Sequence, residues 1–212
     1  MQYFTPLEGN YKGILVKGEY PLTFSQNWCE PHLPIWTRYL SKFKDTPCHM
    51  LEIGVFEGRS SLWFLQNILT SPESLHVAVD TFKGGEDQLK NGVDCTNLLE
   101  KYIENVKEYS PRERTIKGNS SEVLKQWIKW KWKFDVVYVD GSHVADDVSK
   151  DLRNSWELLK VGGIMMMDDY LWTVDPIVEQ RPKYAIDAWL ETYQGQYALL
   201  HKGEIVLVEK II

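Results

Sequence analysis

Two apolar runs that each end abruptly in aspartate constrain the fold of this chain more than any other feature. VVYVD ends at Asp140, and IMMMDD ends at Asp168 and Asp169. Both runs have the length of a buried strand, and helical spacing between them is typical of two parallel strands joined by a crossover helix. Neighbouring strands lie about 4.8 Å apart, so carboxylates leaving their ends can converge on one point. Three carboxylates there repel one another unless protons or a cation intervene, which predicts a site for a hard divalent ion.

The crossover helix itself is predicted from apolar residues on one face, namely Val144, Val148, Leu152, Trp156 and Leu159. Asp146 and Asp147 fall in its first turn, where carboxylates interact favourably with the helix dipole. Gly162 and Gly163 are expected to close it.

A second strand, turn and helix precede this block. The run at residues 48–53 is followed by Gly54 and Gly58 and then by apolar residues at helical spacing. Backbone N–H groups at such a turn can meet a negatively charged or polar ligand. The next run, LHVAVD, ends in Asp80, which is positioned to accept the two hydroxyls of a ribose.

Further elements complete an α/β pattern. RTIKG predicts a short strand, and Asn119 and Ser120 after it suit a helix N-cap. YALLH and EIVLVEK, separated by Lys202 and Gly203, predict a hairpin and hence an antiparallel edge at the carboxyl end of the chain.

The length of 212 residues allows one substantial core. We therefore expect one domain at residues 46–212, with an N-terminal extension and helix at residues 1–45 that pack on it. Residues 1–25 read as a packed arm in preference to a lid.

The charge balance restricts the partners. A net charge of −6 argues against a sequence-independent grip on nucleic acid. The stretch KQWIKWKWK at residues 125–133 could touch nucleic acid or a membrane surface, but in an acidic protein it is better read as a solvated lead-in to a strand. Three cysteines without CxxC spacing indicate no disulfide framework. No leader or spanning segment is evident, so the expectation is a cytoplasmic protein without a membrane partner.

These blocks, LEIGVFEGRSS, AVD, KGNSSEVL, FDVVYVDGSHVADDV and LLKVGGIMMMDDYLW, resemble in their order the class I S-adenosylmethionine-dependent methyltransferases. More narrowly, they are similar to the small metal-dependent O-methyltransferases of the catechol, caffeoyl-CoA and macrocin type. The resemblance covers residues from about 48 to the end of the chain. It implies a Rossmann-like three-layer α/β/α sandwich with a seven-stranded, mostly parallel sheet and a C-terminal antiparallel hairpin.

The resemblance also implies roles for individual residues. S-adenosylmethionine would be held by Glu52, Gly54, Gly58, Ser60, Asp80, Asn119, Ser120 and Asp140. Mg²⁺ or another divalent cation would be held by Asp140, Asp168 and Asp169. His143 stands where some relatives have a catalytic lysine, so His143 and Asp140 are the implied catalytic residues. Phe56 replaces the middle glycine that many methyltransferases have in the glycine loop.

The predicted chemistry is methyl transfer to a hydroxyl oxygen of a small metabolite. The protein would align the acceptor oxygen behind the methyl group, a cation would lower the pKa of the acceptor hydroxyl, and an imidazole would take its proton. Tyr170 and Trp172 could wall the acceptor or belong to the core. The identity of the acceptor and self-association into a homo-oligomer both stay open.

Three other functions fit parts of the pattern. An NAD(P)-binding Rossmann oxidoreductase shares the strand, glycine loop and acidic tip, but the glycines form GxxxG where GxGxxG is expected and no Tyr-x-x-x-Lys pair occurs. A metal-dependent hydrolase would leave the glycine loop and Asp80 without a role. A catalytically silent S-adenosylmethionine-binding scaffold would have no need of all three aspartates.

Overall fold

The computed structural model of the protein describes residues 24–212, apart from the side chain of Asp87, and the backbone of two short strands nearer the start, β1 (Tyr3–Phe4) and β2 (Leu15–Val16). These two strands pair antiparallel. The expectation that residues 1–25 form a packed arm lies almost wholly outside the described residues and stays a prediction.

A seven-stranded sheet organises the described chain. Its strands are β3 (His49–Ile53), β4 (Leu75–Asp80), β5 (Glu113–Lys117), β6 (Phe134–Val139), β7 (Leu159–Met167), β8 (Tyr197–Lys202) and β9 (Val206–Lys210). The spatial order is β5-β4-β3-β6-β7-β9-β8. The first five strands run parallel, whereas β9 is antiparallel to both β7 and β8. The predicted mostly parallel sheet with a C-terminal antiparallel hairpin is therefore confirmed.

Helices cover both faces of this sheet. They are α1 (Leu33–Leu40), α2 (Arg59–Asn67), α3 (Glu86–Lys90), α4 (Leu98–Val106), α5 (Ser120–Lys129), α6 (Ala145–Leu158) and α7 (Pro182–Thr192). Short 3-10 helices occupy Glu30–His32, Ser41–Phe43, Lys107–Arg112 and Val178–Gln180. Each described helix is too short or too polar to span a membrane.

Alternate residues of the strands belong to two hydrophobic cores, one on each face of the sheet. One core joins the sheet to α5, α6 and α7 and includes Leu51, Val77, Val137, Trp156, Met165 and Trp189. The other joins it to α1, α2 and α4 and includes Trp36, Met50, Phe64, Tyr102, Val136 and Tyr138. Because neighbours such as Val136 and Val137 point to opposite faces, the period of two in the strands produces the three-layer sandwich that the sequence predicted.

The expectation that Gly162 and Gly163 close the crossover helix is wrong. α6 ends at Leu158, and both glycines lie inside β7. The pairing of β6 with β7 passes from Phe134↔Leu159 to Val136↔Ile164, so the residues between Leu159 and Ile164 bulge out of the ladder. Gly162 has a φ of +79° in this bulge, a conformation in which glycine avoids a steric cost.

Candidate functional site

The carboxyl ends of β3, β4, β6 and β7 form one edge of the sheet, which we name the carboxyl edge. Asp80 ends β4, Asp140 follows β6, and Asp168 and Asp169 follow β7. Main-chain hydrogen bonds continue the strand ladders to this edge: the Asp140 N–H donates to Ile53 O (2.9 Å), and the Asp168 N–H donates to Val139 O (3.0 Å). The backbone therefore fixes where each of these side chains starts.

Three side chains at the carboxyl edge converge as a candidate cation site. One ligand atom each from Asp140, His143 and Asp169 lies within 4.8 Å of the others. His143 Nε2 is 2.9 Å from Asp169 Oδ2. All three residues are half-buried. The structure thus brings together two of the predicted cation ligands and the predicted base.

Asp168 points to a different set of partners. Its carboxylate accepts hydrogen bonds from the Tyr138 hydroxyl and from the Asp169 N–H (2.8 Å), and His32 Nε2 lies 3.3 Å from Oδ1. Burial opposes the charge on His32, but the hydrogen bond with Asp168 and the surrounding carboxylates outweigh it and raise the pKa of His32. The role of Asp168 as a cation ligand stays a prediction.

The Tyr138 hydroxyl lies between two carboxylates. It contacts Asp168 and is 3.0 Å from Asp140 Oδ2. A phenol has a single proton to donate, so it cannot satisfy both ionised groups at once. Burial, with the charges of Asp168 and Asp169, raises the pKa of Asp140 well above its usual range. A proton or a bound cation would relieve this concentration of negative charge.

The glycine loop packs directly on the strand that carries Asp140. Gly54 has a φ of +81°, and a Cβ at this position would lie 1.9 Å from the carbonyl oxygen of Asp140. Gly58 has a φ of +85°, and a Cβ there would meet the Tyr102 ring at 2.8 Å. Glycine is required at both positions because no side chain fits the space or the backbone conformation.

Glu52 and Ser60, both predicted to hold the cofactor, contact each other. The Glu52 carboxylate is fully buried and accepts hydrogen bonds from the hydroxyls of Ser60 and Ser61, each at 2.5 Å. His76 Nε2 is 2.8 Å from the same carboxylate. Four polar side chains thus form a buried group beneath the glycine loop, and the direct contacts of Glu52 and Ser60 with a cofactor stay predictions.

Asp80 is bound to the loop as well. Oδ2 accepts hydrogen bonds from the Val55 N–H (2.8 Å) and the Phe56 N–H (3.1 Å), and Oδ1 accepts one from the Phe82 N–H (2.7 Å). A carboxylate oxygen has two acceptor positions, so Oδ1 retains one for another donor. This leaves the predicted ribose contact geometrically open.

Asn119 and Ser120 lie at the start of α5. Asn119 caps the helix, since its Oδ1 accepts the Glu122 N–H at 3.3 Å. The Ser120 side chain is hydrogen-bonded to Asp151, which is only 3% exposed on α6. Burial raises the pKa of Asp151 to about 6. Sequence analysis missed Asp151, because a carboxyl group beside the apolar stripe of a helix gives no periodic signal.

The segment before α1 lies over the glycine loop. A buried Glu30 pairs with Arg59, the Ser25 N–H donates to Glu57 Oε2 (2.6 Å), and the ring of Trp28 is 5.1 Å from that of Phe56. Together with the contact between His32 and Asp168, these contacts join residues 25–32 to the glycine loop and to the aspartates after β7. Sequence analysis missed them because the segment has no periodicity.

The two aromatic residues after Asp169 have different surroundings. Tyr170 is buried, and its hydroxyl donates to Asp187 Oδ1 at 2.8 Å. The ring of Trp172 lies 4.8 Å from that of His143. Trp172 therefore borders the candidate cation site, whereas Tyr170 belongs to the supporting structure.

A family model and one relative match this chain in sequence. A family model described as "Methyltransferase domain" matches residues 51–170. A protein of Acanthamoeba polyphaga mimivirus is 26% identical over 143 residues, which cover 66% of this chain and 59% of that protein. The chain thus spans less than two thirds of the length of this relative.

Solved structures share the fold at low identity. The methyltransferase MycE of the mycinamycin biosynthetic pathway, solved with Mg and SAH, is 19% identical with a TM-score of 0.60 over 84% of this chain and 48% of that one. An O-methyltransferase from Bacillus cereus, in complex with SAH, is 16% identical with a TM-score of 0.55 over 76% of this chain and 74% of that one.

Proposed function

The chain belongs to the methyltransferase-domain family, and on that premise we propose that it is a divalent-cation-dependent, S-adenosylmethionine-dependent O-methyltransferase that acts on a small hydroxylated metabolite. The observation that carries the proposal is the convergence of Asp140, His143 and Asp169 at the carboxyl edge, beside a glycine loop whose backbone contacts Asp140. Open α/β sheets bind ligands in the crevice outside this edge.

The donor set suits a hard cation. Asp140 and Asp169, with Asp168 as the further candidate ligand, offer carboxylate oxygens, which are the ligands that Mg²⁺ prefers. A bound divalent cation supplies charge that lowers the pKa of a hydroxyl next to it. Burial, together with the charges of Asp168 and Asp169, raises the pKa of Asp140 well above its usual range, and this supports a site that favours an added positive charge.

His143 would act on the acceptor proton. Its Nε2 lies 2.9 Å from Asp169 Oδ2, and the Trp172 ring packs against the imidazole. A base whose ring is oriented by a carboxylate and by packing can take a proton at a defined position. A general base of this kind contributes about 10²- to 10⁴-fold to turnover.

The cofactor would lie between the glycine loop and the loop at the start of α5. Asp80 fixes the glycine loop through the N–H groups of Val55 and Phe56 and retains one acceptor position on Oδ1 for a ribose hydroxyl. Ser120 and Asn119 approach the same edge from α5. These residues hold and orient the nucleoside, so they set the direction from which the acceptor must approach.

Methyl transfer from labelled S-adenosylmethionine to a panel of hydroxylated metabolites tests the proposal. We expect turnover that disappears with a chelator and returns with Mg²⁺. His143→Asn should lose turnover about 10²-fold or more while cofactor affinity in calorimetry stays unchanged. Turnover that a chelator leaves intact would overturn the cation requirement, and binding of NAD in place of S-adenosylmethionine would favour the oxidoreductase alternative.

A further inference from the structure

The turn between α5 and β6 projects two tryptophans into solvent. Residues 129–133 are five consecutive exposed residues, a run that we name the Lys/Trp turn. Trp130 is 61% exposed and Trp132 is 43% exposed. Large aromatic side chains are highly buried on average in folded proteins, so two exposed indoles side by side indicate a surface that contacts something.

Local geometry keeps the turn in this shape. α5 ends at Lys129, Trp130 is its C-cap, and Lys131 reverses the chain with a φ of +59°. The Trp132 ring stacks on the buried Trp127 at a centroid distance of 5.1 Å and an interplanar angle of 14°. The Trp130 ring lies 6.4 Å from Trp132, further from the core. The outer indole is thus supported by a row of rings that begins in the core.

Lysines surround the exposed indoles. Lys125, Lys129, Lys131 and Lys133 are all exposed. Among residues 24–212 no carboxylate forms an ion pair with any of the four. Lys133 donates instead to the main-chain oxygen of Glu157 at 2.6 Å. In a chain of net charge −6, this is a local surplus of positive charge.

A cavity of about 440 Å³ adjoins the turn, and Lys133 lines it together with Lys160, Lys210 and the acidic Glu157. Lys160 is paired with Asp135, so the surplus of positive charge belongs to the turn itself. The three lysines lie at the starts of β6 and β7 and at the end of the antiparallel β9, which is the edge of the sheet opposite the candidate cation site. We name it the amino edge.

We propose that the Lys/Trp turn docks the protein on an anionic lipid surface. Indole rings favour the headgroup level of a bilayer, and lysine stems can extend along the interface while their ammonium groups reach lipid phosphates. The cations of the turn are lysines, and it contains none of the arginines that recognise the phosphates of a nucleic acid by paired hydrogen bonds. Docking there leaves the carboxyl edge facing solvent.

This inference departs from the expectation of no membrane partner. That expectation came from the absence of an evident leader or spanning segment and, for residues 125–133, from the acidity of the whole chain. Attraction to a lipid surface needs no spanning segment, and it depends on the charges within about a Debye length of the lipid, close to 10 Å. The inference does not depend on the proposed methyltransferase activity, because none of the residues in the turn lies at the carboxyl edge.

Flotation of the full chain with vesicles tests the proposal. We expect binding to vesicles of phosphatidylcholine with phosphatidylserine, weak binding to phosphatidylcholine alone, and loss of binding as salt is added. K129Q/K131Q should reduce the partition coefficient roughly 25-fold, since each of the two lysines near an anionic surface contributes about fivefold. The single substitution Trp130→Ala should also weaken binding to the anionic vesicles. Collisional quenching of tryptophan fluorescence by nitroxide-labelled lipid should decrease in that variant.

The charge-matched control is K83Q/K117Q, which removes two exposed lysines at the carboxyl ends of β4 and β5, on the opposite edge of the sheet. It should bind vesicles as the unmodified protein does, and all variants should retain their melting temperature. Absence of binding to the anionic vesicles at low salt, or an equal loss in the control, would overturn the proposal. Preferential capture by a single-stranded oligonucleotide would overturn it in favour of a nucleic-acid partner.

Discussion

The two edges of the sheet carry opposite charges in opposite arrangements. At the carboxyl edge, three half-buried aspartates lie close together, namely Asp140, Asp168 and Asp169. The Tyr138 hydroxyl contacts the carboxylates of Asp140 and Asp168, and the Asp169 N–H donates to Asp168. At the amino edge, Lys133 is exposed, and the partly exposed Lys160 is paired with Asp135. Like charges that are close and poorly hydrated repel strongly, whereas dispersed surface charges interact weakly. The carboxyl edge therefore favours a proton or a bound cation among its carboxylates, whereas the charges of the amino edge need neither.

Replacing Asp169 should give the largest effect on this contrast. Asp169→Asn removes one charge from the candidate cation site, so we expect turnover to fall roughly 10³-fold, because a bound cation contributes several kcal/mol to transition-state stabilisation. Calorimetry should show weaker Mg²⁺ binding with unchanged cofactor affinity. Asp146→Asn, an exposed carboxylate at the start of α6, is the control and should leave both unchanged. Full turnover in Asp169→Asn would contradict the role of Asp169 in cation binding, and with it the contrast between the two edges.

Two glycines with the same backbone conformation allow a direct comparison of the two edges. Gly54 at the carboxyl edge has a φ of +81° and a Cβ position 1.9 Å from Asp140 O, while Gly162 near the amino edge has a φ of +79° and nothing within 4 Å of its Cβ position. Gly162→Ala should cost about 1 to 2 kcal/mol of unfolding free energy from backbone strain. Gly54→Ala should cost about 3 to 5 kcal/mol because overpacking adds to the strain. Urea unfolding measures both, and equal losses would contradict the tight contact.

Asp151 sharpens the comparison within the carboxyl edge. Its folded pKa is about 6 because it is buried, against about 3.9 when unfolded, so the folded state binds the proton more tightly. That contribution to stability is complete below about pH 4 and is lost as the pH rises towards 6. Between pH 4 and pH 7 the stability of Asp151→Asn, relative to the unmodified protein, should improve by about 2 to 3 kcal/mol. Urea unfolding across this pH range checks it, and a constant difference would count against the buried, protonated carboxyl.

The smallest effect is expected at the amino edge. Lys160 Nζ lies 2.9 Å from each carboxylate oxygen of Asp135, and both residues are partly exposed. Lys160→Gln should cost less than about 1 kcal/mol, because water screens such a pair. Thermal melting and turnover should both stay close to the unmodified values. A turnover defect would mean that the two edges are coupled.

The sequence predicted the sheet well because its signals are local. Apolar runs that stop at Asp80, Asp140 and Asp168 located three strand ends, and the hairpin followed from a turn between two runs. The match to the methyltransferase family confirms the resemblance that those blocks suggested. Short or polar elements were harder: α3 (Glu86–Lys90) has too few apolar positions to show a helical period.

Side-chain directions in the candidate site could not be predicted in the same way. Asp168 and Asp169 are adjacent in sequence, yet Asp169 has a φ of +60° and meets His143, while Asp168 meets Tyr138 and His32. A positive φ is uncommon for a non-glycine residue, and although aspartate adopts it more often than most, the sequence does not show which of two adjacent aspartates will do so. His32 reaches Asp168 from a distant part of the chain, and no spacing rule relates the two.

The contact between Gly54 and Asp140 joins the glycine loop to the candidate cation site through main-chain atoms alone. The Asp140 N–H donates to Ile53 O, and the Asp140 carbonyl fills the space next to Gly54. Because this junction consists of main-chain atoms, the proposed nucleoside and ion sites would keep one fixed position relative to each other. On the proposed function, a change of acceptor would then fall to the rim formed by the exposed residues Leu171, Val174 and Val178 after the aspartate pair. An engineer seeking a new acceptor should randomise that rim and keep the junction fixed.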